Sequence, residues 1–143
     1  MSRLPEDVPD CMVFLLGKAY QKAHALFKNQ LVSYGLTNLQ HLVLEALWYS
    51  QGLTAAQLGK FLILDKATLS GVLDRMVAGG WIIKKPHPQD RRTYSIYTSQ
   101  KADRLKENLI QERIKANEQI LRSFSLEEKL LFKRLLNDVI ESE

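Results

Sequence analysis

Apolar residues recur at helical spacing through Phe14, Leu16, Ala19, Tyr20, Ala23, Phe27 and Leu31. This spacing predicts one long helix over roughly 11–33 that stops near Gly35. Thr37-Asn38-Leu39-Gln40 places a hydroxyl at an N-cap and an amide three residues on, which opens a second helix running through Trp48. Thr54-Ala55-Ala56-Gln57 repeats the device after the Gln51-Gly52 break and starts a short helix to about Phe61. Leu62-Ile63-Leu64 leaves a connector of three residues. Asp65 then reads as an N-cap, and Leu69, Val72, Leu73, Met76 and Val77 form an apolar stripe that ends at Gly79-Gly80.

The period changes next. Trp81-Ile82-Ile83-Lys84-Lys85 and the stretch from Arg91 to Thr98 read as strands, joined by the proline-punctuated loop Pro86-His87-Pro88-Gln89-Asp90. Residues 99–124 return to a helical period through Leu105, Leu109, Ile120 and Leu121, and Ser125-Leu126-Glu127-Glu128 caps a last helix carried by Leu130, Leu131, Leu135, Val139 and Ile140. The order is helix, helix, helix, turn, helix, hairpin, long helix, helix. The expected fold is mainly α (α+β by strict count): a winged helix-turn-helix core over 37–98, flanked by helices at 11–36 and 99–143, in one domain spanning 1–143.

Composition narrows the classes. A chain of 143 residues with 45% apolar and 25% charged residues fits one ordinary globular domain, and no run is long and apolar enough to span a bilayer. The opening MSRLPEDVPD lacks the basic-then-apolar pattern of a secretory leader, and a single cysteine excludes an internal disulfide framework. The expectation is therefore a cytoplasmic protein without membrane contact. No phosphate-cradling glycine loop, nucleophile elbow or HExxH pair is present, so an enzyme is not expected, nor is a cofactor.

The net charge of +4 is unevenly placed. Residues 54–98 carry Lys60, Lys66, Arg75, Lys84, Lys85, Arg91 and Arg92 against Asp65, Asp74 and Asp90, whereas both flanks are neutral. A basic segment between neutral flanks is the footprint of a polyanion-binding module, although a solvated basic face is a common alternative. The helix at 65–79 becomes the recognition helix of such a module. Opposite its apolar stripe stand Lys66, Ala67, Thr68, Ser70, Gly71, Asp74 and Arg75, short or flexible groups suited to reaching base edges and phosphates. Arg91 and Arg92 on the hairpin suit a narrow, strongly negative minor groove. A protein-docking winged helix that never touches DNA is the competing reading, and it predicts binding that survives high salt.

Residues 53–98 resemble the winged-helix core of the MarR family of bacterial transcription regulators. The resemblance is carried by Leu58-Gly59 before Leu64-Asp65, by Thr68-Leu69-Ser70 and Leu73-Asp74-Arg75-Met76, by Gly80-Trp81-Ile82-Ile83-Lys84, and by Pro86, Pro88 and Asp90-Arg91-Arg92. Two departures are visible: Lys84 stands where the family usually has arginine, and Lys101 where it usually has glycine. The resemblance implies DNA contacts from Lys66, Thr68, Ser70, Gly71, Arg75, Lys84, Lys85, Asp90, Arg91 and Arg92. Within that set Arg92 enters the minor groove, Asp90 holds it, and Arg75 is a phosphate or structural contact. It also implies a repressor that dimerises through its flanking helices on a palindromic operator, nucleoid-associated when bound. The wide apolar stripes of those helices independently call for a two-fold partner.

The resemblance further implies a small aromatic or phenolic effector, for which Tyr20, His24, Phe27, His41 and Trp48 are candidate pocket residues. Cys11 is a candidate redox centre, because one branch of the family senses organic hydroperoxides through a cysteine near this point. Cys11 is displaced by two residues from that cysteine, however, and Asn38 and His41 stand where the branch carries tyrosines. A small buried apolar role for Cys11 is the expectation. His24, His41 and Cys11 lack the close spacing of a metal site, and none is expected.

Overall fold

A computed structural model describes residues 10–143; the leader at 1–9 lies outside the described residues. The chain runs through α1 (Met12–Leu31), a single 3₁₀ turn (Val32–Tyr34), α2 (Asn38–Tyr49), β1 (Leu53–Thr54), α3 (Ala55–Leu62), α4 (Lys66–Ala78), β2 (Ile82–Pro86), β3 (Tyr94–Thr98), α5 (Gln100–Ile120) and α6 (Leu126–Glu141). The three capping boxes form as their spacing predicts: Thr37 with Gln40, Thr54 with Gln57, and Ser125 with Glu128 exchange side-chain and backbone bonds at their helix starts. Asp65 caps α4 by accepting from the Thr68 backbone N–H at 2.8 Å. Its carboxyl is held below the usual value by that bond and by the Thr68 hydroxyl.

The strands form one antiparallel sheet in the order β1-β3-β2, with Ile82 opposite Thr98 and Pro86 opposite Tyr94. Strand β1 was not expected from the sequence. Its two residues pair with Ile96 and Ser95, and a stretch that short has no periodicity to read. After α4 the chain turns into β2 at Gly80, whose φ of 73° is a backbone conformation that a side chain would strain.

One core joins the helix-turn-helix to the sheet and to α5. Leu44, Leu47, Leu58, Leu69, Leu73, Met76, Ile96 and Leu109 are all essentially inaccessible. The α4 stripe is buried through Leu69, Val72, Leu73 and Met76, but Val77 is exposed, because it lies at the edge of the face that meets the core. The flanking helices behave differently. Leu31 is the only buried residue of α1, and α6 has none. Tyr20, Leu126, Leu130, Val139 and Ile140 each lie more than half exposed. Single apolar side chains on a surface are ordinary, but two helices with continuous uncovered stripes are not.

Candidate nucleic-acid interface

The outer face of α4 and the β2–β3 hairpin carry the sequence-predicted DNA residues. Lys66, Thr68, Ser70 and Arg75 are exposed and Gly71 is partly so. Lys60 from α3, Lys66 and Ser70 from α4 and Lys84 from β2 converge on one cleft beside α4, floored by Leu69 and Leu73. The fold thus brings charges scattered over 25 residues of chain onto one side of α4.

Several side chains are already committed. The Thr68 hydroxyl donates to Asp65 Oδ2 at 2.7 Å, so it completes the helix cap and has spent its only proton. Lys84 Nζ lies 3.6 Å from Asp74 Oδ1, which ties β2 to α4. Lys85 points to the opposite side of the strand, with its ammonium 5.1 Å from the centre of the Tyr97 ring.

The wing is braced by Asp90. One carboxylate oxygen accepts from the Arg92 backbone N–H at 3.0 Å and faces Arg92 Nε at 3.5 Å. The other accepts from the Thr93 hydroxyl at 3.2 Å, and the Arg92 N–H is the main cause of a carboxyl held below its usual value. His87 Nδ1 accepts from the Gln89 N–H, closing the loop from the other side. Arg92 itself is 94% exposed, so its guanidinium is aimed into solvent from an ordered loop. Arg91 is also exposed.

Of the five candidate pocket residues, three come together. Tyr20, His24 and Phe27 line a cavity of about 430 Å³ between α1, α2 and the end of α5. Asn38, Leu42, Leu64, Asn117 and Ile120 complete much of its wall, and the sequence had not marked them for this role. They were illegible because they come from three separate segments, α2, the α3–α4 connector and α5. Asn38 donates to the His24 carbonyl at 3.2 Å, but its buried Oδ1 has no partner among the described residues.

His41 and Trp48 are not in that wall. His41 is 1% exposed, packed edge-on against Phe27, and bonded through Nε2 to the Leu109 carbonyl at 3.0 Å. The carbonyl can only accept, so Nε2 is the protonated nitrogen of the neutral ring. Nδ1 lies 3.4 Å from Glu45, whose carboxylate takes two bonds from Arg113 Nε. Burial pulls the imidazole below its ordinary value despite Leu109 and Glu45. Trp48 donates its indole N–H to Asp103 at 2.9 Å at the far end of α2. Both residues join α2 to α5, a task that aromatic spacing does not distinguish from lining a pocket.

Cys11 is exposed at the N-cap of α1 and makes no capping bond, so the small buried role expected for it is not what the fold provides. The described residues contain no cluster of three or more His, Cys, Asp or Glu suited to a metal.

Comparison with known proteins gives a consistent picture. The model of the MarR family matches residues 36–94. The chain is 29% identical to the HTH-type transcriptional repressor NicR of Pseudomonas putida over its whole length and 90% of the relative. It superposes on a probable transcriptional regulator from Pseudomonas aeruginosa at 30% identity and a TM-score of 0.86, over 91% of this chain and 97% of that one. At 23% identity it shares the fold of BpsR from Bordetella bronchiseptica, whose DNA binding is regulated by 6-hydroxynicotinic acid, with a TM-score of 0.89 over 98% and 100% of the two chains.

Proposed function

The chain belongs to the MarR family and is a transcriptional regulator, and on that premise we propose that it acts as a homodimeric repressor on palindromic double-stranded operator DNA, released by a small aromatic effector. The observation that carries this reading is the single basic face. Lys60, Lys66 and Lys84 rim one cleft beside the exposed side of α4, and an Asp90-braced Arg92 projects from the hairpin that follows it. A helix with a free polar face reads the major groove, and a rigid arginine on a loop reads the minor groove.

The uncovered stripes of α1 and α6 support the dimer. A two-fold axis between them buries both and sets two recognition helices about one turn of DNA apart, which calls for a palindrome. The cavity walled by Tyr20, His24 and Phe27 supports the effector. It is walled mainly by apolar and aromatic side chains, so it suits a flat aromatic ring. No helix among the described residues is long and apolar enough to cross a membrane, and the working place we assign is the bacterial cytoplasm, on the nucleoid when DNA is bound.

The test is selection of duplexes from a random pool by the full chain, followed by mobility shifts of the enriched sequence at rising salt. A palindrome should emerge. With six to ten phosphate contacts per dimer, affinity should fall about a thousandfold or more between 50 and 200 mM salt. Addition of 6-hydroxynicotinic acid as a first probe should weaken the shift. Failure to enrich any sequence, with binding to a protein partner that ignores salt, would replace this reading with the docking module.

A further inference from the structure

Helix α4 carries two cations, Lys66 in its first turn and Arg75 in its last. By position in sequence, Arg75 sits too far along the helix to read bases, since a recognition helix presents its N-terminal half to the groove floor. Its geometry moves it forward. A side chain on a helix leans toward the N-terminus, over the turn before its own Cα. Here the guanidinium lies against Gly71, so that a Cβ built on Gly71 meets Arg75 Nη1 at 3.5 Å and Nη2 at 3.7 Å. Four residues of helix are about 6 Å, so the charge is delivered one turn N-terminal of Arg75.

Three features keep it there. Gly71 offers no side chain, and the neighbouring outer positions Ala67 and Ser70 are short, so nothing on that face stands between the guanidinium and a groove floor. Asp74, the nearest acid in sequence, is already occupied by Lys84 at 3.6 Å. Arg75 has no ion pair of its own among the described residues and its side chain is exposed. A planar fork of donors lying flat on a bare patch of recognition helix matches one target in the major groove, the paired acceptors O6 and N7 of guanine.

We propose that Arg75, laid across Gly71, reads a guanine in each half-site, so that this pair is a specificity determinant and not only a phosphate contact. The proposal rests on the DNA-binding reading above. Duplex selection with wild type, Arg75→Ala, Arg75→Lys and Gly71→Leu tests it, each variant first checked by circular dichroism for its helix content. In wild type one G·C pair per half-site should be fixed. Arg75→Ala should lose about 5- to 150-fold of discrimination at that pair and little elsewhere. Arg75→Lys keeps the charge without the fork and should lose the same preference while retaining most of its salt dependence. Gly71→Leu, which fills the shelf, should alter the same column of the motif. If Arg75→Ala instead weakens all duplexes equally and makes the salt slope shallower, while every column of the motif survives, Arg75 is a phosphate contact and the proposal is overturned. If wild type enriches no sequence at all, the DNA reading itself has failed, which is a separate outcome.

Discussion

Ile63 is the one residue other than glycine with a positive φ among those described, at 55° with ψ at 53°. It sits in the connector between α3 and α4, where its backbone N–H closes the end of α3 on the Lys60 carbonyl. A β-branched residue in the left-handed region is an outlier that costs about 1–2 kcal/mol. The side chain recovers little of this, because it is 74% exposed. Burying a whole isoleucine contributes about 1.5–3 kcal/mol, so a quarter of one contributes about 0.4–0.8 kcal/mol. Asparagine tolerates this conformation without glycine's flexibility in the unfolded chain. Ile63→Asn should therefore stabilise the protein by about 0.5–1 kcal/mol, raising Tm by about 1–4 °C. Ile63→Gly should be near neutral, since its unfolded-state entropy costs a further 0.5–1 kcal/mol or so. The assay is urea unfolding together with calorimetry, at one fixed protomer concentration because dimer stability depends on it. A loss of 1 kcal/mol or more in Ile63→Asn, at unchanged dimer affinity, would refute the reasoning. It would mean that the turn is not strained.

The remaining predictions concern DNA, assembly, acid and oxidation. Arg92→Ala should weaken operator binding by about 1–3 kcal/mol in mobility shifts while leaving Tm unchanged, since Arg92 is nearly all in solvent; wild-type affinity would remove the wing from the interface. Leu135→Glu and Val139→Glu should yield folded monomers in light scattering, because neither residue is in the protomer core; an intact dimer would place the interface elsewhere. His41 has a folded pKa depressed below 6.5 by burial, so the fold favours the neutral ring. Its contribution is complete above about pH 6.5 and is lost as pH falls from there toward the depressed value. Denaturation midpoints between pH 7.5 and 5.5 should drop more in wild type than in His41→Gln, and equal slopes would contradict this. Cys11→Ser should keep operator binding, and cumene hydroperoxide should release neither protein in mobility shifts. A sulfenate on Cys11 by intact-mass spectrometry, with release of wild type only, would make Cys11 the sensor.

Local signals determined most of the element list. Capping boxes at Thr37, Thr54 and Ser125 act between residues three apart, so their spacing can be read without knowing where the rest of the chain goes. The α4 stripe and the change of period at Trp81 specified a helix followed by a hairpin, and the charge excess over 54–98 was visible in the sequence before any fold. Tertiary structure decided what each side chain does. Two-residue β1 exists only because β3 offers it a partner. Thr68 became a capping group through the nearness of Asp65, Lys84 was drawn to Asp74, and Arg75 came to rest on Gly71. His41 and Trp48 share the aromatic spacing of Tyr20 and Phe27, yet they bond to α5 while the others line a cavity. Periodicity reports which face of a helix is apolar and cannot report what that face meets. The partner of a side chain is set by the distances between elements remote in sequence, and those distances exist only once the core has closed.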